Sequence, residues 1–496
     1  MPPEAADNGT LVLFAAGGFA LLMAVIGVLS ARKASSSDDF LVAGRGLPLW
    51  LCTATLTATW MGAGTVIGAA GAAYESGMLG VIADPFGAAL CLLLAGLFYV
   101  RVLRRMQLLT VSDFFEIRFG ATAGVLSSVA LFALYIGWTA VQFKAFGQVA
   151  GSLIGISPET GIVCGAIVIL IYTAAGGMWA VAMTDAWQVV IVLFGLAVML
   201  ALVVVDTGGV DATIGQLTAE QLRLTPAENT GGEWLEYLRA WLIIGIGSIA
   251  TQDLMQRSFA ARSERVAQYA AYLASLAYLT FGMIPVLLGL IGSVTLPELD
   301  DPEMVVPELA AQHLHPVAMV VFVGALLAAV MSSADSALLA PASLLSANLI
   351  PYFRPEVSDE GRLRWARWSI PVIGCASVAV ALYADNIYDL MLSSFEMPLV
   401  CLFVPFTAGI WWRGANGTGA LAAMITGGAL WLGCLLFAKD LPAELVGLAG
   451  AAAILVVVSK LTATADPPRP LRNRDGDEIE PRNRLGIAGL REPVGD

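Results

Sequence analysis

From Leu327 to Ser336 the chain reads Leu-Ala-Ala-Val-Met-Ser-Ser-Ala-Asp-Ser, three hydroxyls and a carboxylate inside a segment otherwise apolar enough to be a membrane helix. A polar group at bilayer depth is costly unless it faces protein, water or an ion, so such clusters mark ion or substrate pathways. Ser332, Asp335 and Ser336 share one helix face by their spacing of three and four, and Ser333 sits beside them. One face of that helix is therefore built to touch a species that binds oxygen, such as a cation. Serines in membrane helices also hydrogen-bond back to the preceding turn, and that structural role stands beside the cation reading.

The elements that carry these residues are membrane spans. The 496 residues are 58% hydrophobic and only 13% charged, with a mean hydropathy of +0.78, well away from the quarter or so of charged residues in soluble domains. Apolar runs of membrane-crossing length define about thirteen spans. They cover residues 10–31, 47–75, 79–103, 121–153, 159–177, 178–206, 236–260, 264–294, 305–350, 364–384, 386–412, 414–437 and 442–463. The N-terminus has no basic n-region, so the first run is expected to be a retained helix rather than a signal peptide.

The net charge of −13 is concentrated in alternate loops and does not indicate an acidic partner-binding tail. The basic residues fall after alternate spans: Arg32, Lys33 and Arg45; Arg101, Arg104, Arg105 and Arg118; Arg257, Arg262 and Arg265; Arg354, Arg362, Arg364 and Arg367. The positive-inside rule then puts the N-terminus outside and the C-terminus in the cytoplasm of a cell (inner) membrane protein. The polar residues 464–496 are expected to be a short disordered cytoplasmic tail.

Two spans carry the marks of broken helices. Trp60-Met-Gly-Ala-Gly-Thr-Val-Ile-Gly68 places three glycines inside the second, and Gly245-Ile-Gly-Ser248 followed by Thr251-Gln-Asp253 interrupts the seventh. Glycines also allow close helix packing, but these spans open two successive five-helix groups, where transporters with inverted repeats place discontinuous helices. The Gly62, Gly64 and Gly68 run follows no strand, which excludes a dinucleotide fingerprint. The six cysteines lack metal spacing and there are two histidines, so a zinc or haem enzyme is not expected. No nucleophile, base and orienting group stand at recognisable spacing, and the expectation is a non-enzyme.

These residues carry a resemblance. Tyr172-Thr-Ala-Ala-Gly-Gly-Met-Trp-Ala180, with Thr184-Asp-Ala-Trp-Gln188 behind it, is similar to the signature of the sodium:solute symporter family, and the likeness runs from Phe40 to about Arg413. Thr57-Ala-Thr-Trp-Met61, Gln256-Arg257 and Ala328 to Ser336 resemble its high-affinity choline transporter branch. The resemblance implies an all-α LeuT-type core of five plus five inverted helices, spanning 47–206 and 236–412. One extra helix precedes that core, and two follow it at 414–463.

The resemblance further implies a coupling Na+ held by the carbonyls of Ala58, Met61 and Ala329 and the hydroxyls of Ser332 and Ser333. Asp185, Asp335 and Ser336 occupy the positions of a second sodium present in some relatives. If those acids are neighbours, a second Na+ or a shared proton is expected; the alternative is that Asp185 pins the end of the sixth span. Trp60 and Trp138 match two positions of a cation-binding aromatic cage, while Thr251 and Ala88 replace two others. Gln142, Thr251 and Gln252, with Asp253, then offer hydrogen bonds to the solute, and Lys144 is a further cation in the fourth span. The expectation is a Na+-coupled importer of a small polar organic solute in the lipid bilayer, with no nucleic-acid partner; a passive channel or transporter-like sensor is the alternative.

Overall fold

The computed structural model describes residues 17–19, 21–23, 25–26, 37–228 and 230–481. Their regular structure is helical, with two isolated β-bridges and no strand among the described residues. Nine helical stretches are long and apolar enough to cross a membrane, as expected for segments that must satisfy their backbone groups internally in lipid. The span expected at 10–31 lies largely outside the described residues. Three other expected spans are absent from the nine because each is interrupted or short.

The second expected span is α1 (Leu49–Trp60), a break, and a π-turn (Gly64–Gly68) leading into α2 (Ala69–Ser76). After α3 (Ala88–Phe98) and α4 (Ala121–Ile154), a hydrogen-bonded helix α5 (Pro158–Asp206) contains the fifth and sixth expected spans. Gly177 divides it, with φ 64° and ψ −175°, at the boundary the sequence placed there. A Cβ at this position would also press on the Phe40 ring at 2.5 Å, so the glycine in the signature run meets both a left-handed backbone and a close approach.

The seventh expected span is α6 (Gly231–Gly245), a short 3₁₀ turn (Gly247–Ala250) and α7 (Gln252–Ala260). Following α8 (Glu264–Phe281), α9 (Pro316–Leu344) is buried from Ala325 to its end and packs on α1, α4, α5 and α7 and on α10 (Asp359–Tyr383). It thus touches both halves of the molecule. Beyond it lie α11 (Ile387–Pro398), α12 (Gly417–Phe437) and α13 (Ala443–Thr462), the last two packed along each other.

Two expectations need correction. The ninth span was drawn from 305, but Val305–His313 is a separate short helix and α9 begins at Pro316, where a proline at the first helical position starts a helix and cannot continue one. Residues 464–481, expected to be disordered, are tied down. Asp466 Oδ2 accepts from the Thr418 amide at 2.7 Å, the Arg474 amide donates to Met106 O at 3.0 Å and the Ile479 amide to Leu471 O at 2.8 Å. Polar composition missed these because the partners are helix ends and loop carbonyls.

Many of the basic loop residues meet at this same end. Arg104 donates to Ala261 O, Arg118 to Gly409 O, and Arg101 and Arg105 pair with Glu264.

Candidate sodium and solute site

The break after α1 organises the site. At Met61 the backbone leaves the helix (φ −78°, ψ 56°), and the amides that would have continued the ladder turn elsewhere. Gly62 N donates to Trp60 O at 2.9 Å and Ala63 N to Gln142 Oε1 at 3.1 Å. The carbonyls so released are taken by side chains from other elements, as buried carbonyls must be. Ser332 Oγ donates to Ala58 O at 2.9 Å and to Ala329 O in its own preceding turn at 3.1 Å. Ser333 Oγ donates to Thr59 O at 2.7 Å.

Ala58, Ala329, Ser332 and Ser333 are therefore brought together, with Met61 at the break itself, and all five residues are buried. Ser332 bonds back to its own turn, the structural role the sequence offered, and also reaches the facing helix, whereas Ser333 reaches the facing helix. The oxygens of the five residues are neutral and come from α9 and from the broken end of α1. A monovalent cation fits such a donor set, since either hydroxyl can rotate a lone pair toward it.

Gly62 is what lets the two elements touch. A Cβ there would overlap Ser333 Oγ, lie 2.6 Å from Ser333 Cβ and 3.0 Å from Gln142 Oε1.

Trp60, the last residue of α1, carries the second part of the site. Its Nε1 donates to Asp253 Oδ2 at 3.0 Å, and Tyr135 Oη donates to Asp253 Oδ1 at 2.7 Å. Tyr135, Trp138, Thr139 and Gln142 lie on one face of α4 by their three- and four-residue spacing. The Trp138 ring packs edge-on to Phe395 with centroids 5.8 Å apart, and Phe395 O lies against Gly247 in the second helix break. In that break Thr251 Oγ1 donates to Ser248 O at 2.8 Å. Three buried polar atoms in this region have no protein partner: Gln142 Nε2, Thr139 Oγ1 and Ser248 Oγ.

Gln252 is placed differently from the expectation. Its Oε1 accepts from Val111 N at 2.8 Å and its Nε2 donates to Leu109 O at 3.3 Å, so both ends pin the 109–111 loop rather than face Trp60. Lys144 donates to Ala384 O at 2.8 Å, capping the end of α10.

A buried cation lies beside Ser336 and Asp185. Arg257, counted from sequence among the loop charges, is completely buried. It hydrogen-bonds Ser336 Oγ through Nη2, donates to Asp253 O at 3.1 Å through Nη1, and lies close enough to Asp185 to act on it electrostatically. Asp185 is hydrogen-bonded by Thr55, and Thr59, one turn along α1, meets Ser336 at 3.1 Å. Asp185 thus has a guanidinium nearby, and Arg257 Nη2 takes one lone pair of the Ser336 oxygen, so a second Na+ here would share its ligands with a buried cation.

Asp84 was missed in the sequence. It is 1% exposed, and its Oδ1 accepts from Tyr278 Oη at 2.7 Å and its Oδ2 from Thr65 Oγ1 at 2.6 Å. Tyr278 Oη also reaches Trp60 O at 3.0 Å, the third carbonyl released by the break. The signal available was an acid inside an apolar run.

The chain was compared with known proteins. The family model described as sodium:solute symporter family matches residues 40–427. The human high affinity choline transporter 1 is 28% identical over 430 residues, covering 82% of this chain and 74% of that protein. The Escherichia coli (strain K12) sodium/pantothenate symporter is 29% identical over 421 residues, covering 82% and 86%. A solved structure of a Na+-coupled sialic acid symporter in a substrate-bound outward-open state superposes with a TM-score of 0.78 at 20% identity, covering 91% of this chain and 98% of that one. A nucleobase-cation-symport-1 family transporter gives 0.61 at 15% identity, covering 86% and 95%. These two structures establish likeness of fold, the LeuT fold of Na+-coupled transporters.

Proposed function

The chain belongs to the sodium:solute symporter family and couples Na+ to the symport of a small solute; on that premise we propose that it imports a small polar organic solute by alternating access. Na+ binds between the break after α1 and α9, on the carbonyls of Ala58, Met61 and Ala329 and the hydroxyls of Ser332 and Ser333. The solute lies beside it among Trp60, Trp138, Gln142 and Thr251. Gln252 acts behind the site by holding the 109–111 loop.

The observation that carries this reading is the pair of bonds from Ser332 and Ser333 to Ala58 and Thr59. An ion bridging a broken helix to a facing one has a different affinity for each arrangement of those helices, and only such a difference can couple ion to transport. Na+ occupancy then favours the outward-open, solute-competent arrangement. The basic loops gathered with the 464–481 segment support a cytoplasmic C-terminus, and the two breaks, after α1 and after α6, support the 47–206 and 236–412 repeats.

The relatives' named solutes, choline, pantothenate and sialic acid, share no single chemistry. Thr251 and Ala88 stand where two cage aromatics would be, so tight choline binding is not part of the reading. The test is uptake in proteoliposomes under an imposed inward Na+ gradient. Accumulation above the external concentration supports symport; equilibration alone, with or without Na+, indicates a channel.

A further inference from the structure

Two buried carboxylates are linked to Trp60, one of the candidate solute residues. Asp253 accepts directly from the Trp60 indole. Asp84 accepts from the hydroxyls of Tyr278 and Thr65, both of which also lie within hydrogen-bond distance of the Trp60 carbonyl. Every hydrogen bond to these carboxylates comes from a neutral hydroxyl or indole donor. Among the described residues Asp84 forms no ion pair; Arg257, whose Nη1 donates to the Asp253 backbone carbonyl and Nη2 to Ser336, stands beside Asp253 without a direct bond to its carboxylate. A buried carboxylate without a counter-ion, as Asp84 is, is costly, and neutral donors do not cancel its charge.

Each carboxylate oxygen also keeps a lone pair, having spent one. A second observation points to a ligand: Gln142 Nε2, Thr139 Oγ1 and Ser248 Oγ are buried and unpartnered, and Gln142 reaches into the break that exposes the Trp60 carbonyl.

We propose that the solute carries a protonated amine with N–H donors, and that Asp84 and Asp253 are the specificity-determining residues that receive it beside the Trp60 ring. This rests on the symport reading of the same site. A quaternary ammonium would meet the ring face but could give nothing to the carboxylate lone pairs, whereas a primary or secondary ammonium satisfies both. The unpartnered amide and hydroxyls are left for the solute's remaining polar groups.

The experiment is thermal-shift binding of the purified protein in NaCl and in KCl. The probes are ethanolamine, glycine and 1,4-diaminobutane, each beside its N-permethylated counterpart, with ethylene glycol as the neutral control. Stabilisation in NaCl by at least one N–H amine over its permethylated form is expected, with its apparent affinity weakened at least about tenfold by Asp84→Asn and by Asp253→Asn. Two variants at separate positions guard against one misfolding, and the wild-type ranking needs neither. A quaternary or neutral probe binding as well as the N–H amines, no shift with any of those amines, or unchanged ranking in both variants overturns the proposal. Preference for an N–H amine that is equal in KCl would instead overturn the symport reading, while Na+-dependent binding of a neutral probe would leave symport standing and remove the amine.

Discussion

Ser332 donates its hydroxyl to the carbonyl of Ala58 at 2.9 Å, taking the position that the Gly62 amide would hold in an unbroken helix. That substitution of a side chain for a ladder bond leaves oxygen-rich backbone at membrane depth without leaving it unsatisfied. It also makes the position of α9 depend on the geometry of α1.

Gly62→Ala is expected to disturb both. The new Cβ would overlap Ser333 Oγ and come within 2.6 Å of Ser333 Cβ, and overpacking of this kind costs about 2 kcal/mol. Na+-driven uptake should be lost and the Tm lowered in NaCl. Wild-type uptake in this variant would show that the break and α9 need not touch.

Trp60→Ala and Thr251→Ala are expected to impair uptake of the solute while leaving Na+ affinity in its absence largely intact. Trp60→Phe separates two roles, because it keeps a ring but removes the donor to Asp253; a lost hydrogen bond to a charged group is worth about 2 kcal/mol. Solute affinity should fall in all three, and equal loss of Na+ and solute affinity would place Trp60 in the ion site instead.

Arg257 predicts the stoichiometry. With a guanidinium bonded to Ser336 and near Asp185, a single Na+ should accompany each solute in paired flux measurements. Arg257→Gln should abolish uptake or folding, since removing one member of a buried charge group typically costs about 3 to 5 kcal/mol. A wild-type ratio of two Na+ per solute would contradict this account of the Asp185 site.

Glu303 supplies a pH test outside the spans. Its Oε1 accepts from the amides of Ile387 at 2.6 Å and Tyr388 at 3.0 Å, capping α11, and burial holds its carboxyl above the ordinary glutamate value. The folded protein then keeps this proton to higher pH than the unfolded chain does, so its contribution is complete below the unfolded value and is lost as pH rises through the folded one. Tm measured between about pH 4 and pH 7 should fall more steeply for the wild type than for Glu303→Gln. Parallel curves would contradict the assignment.

Much of this was legible in residue order. The glycine runs at 62–68 and 245–247 marked both helix breaks, where Gly62 and Gly247 have close neighbours, and the boundary drawn between two spans fell at Gly177, the kink in α5. The Ser332 and Ser333 pair was legible from hydroxyls in an apolar helix. Gln252 was not, since the side chain's direction depends on how the helix restarts after the 3₁₀ turn at 247–250. Arg257 was read as a loop charge because its buried partners, Ser336 and Asp185, are distant in sequence. Asp84 went unnoticed for the same reason, with Thr65 and Tyr278 lying on other elements.

The most direct test of the ion site is the NaCl concentration giving half-maximal thermal stabilisation, at constant ionic strength against KCl. Each of Ser332→Ala and Ser333→Ala should raise it about tenfold, the loss of a hydroxyl ligand to a cation being worth about 1.5 kcal/mol, and the double variant should no longer distinguish Na+ from K+. A double variant with wild-type Na+ dependence would contradict the assignment of the coupling ion to α1 and α9.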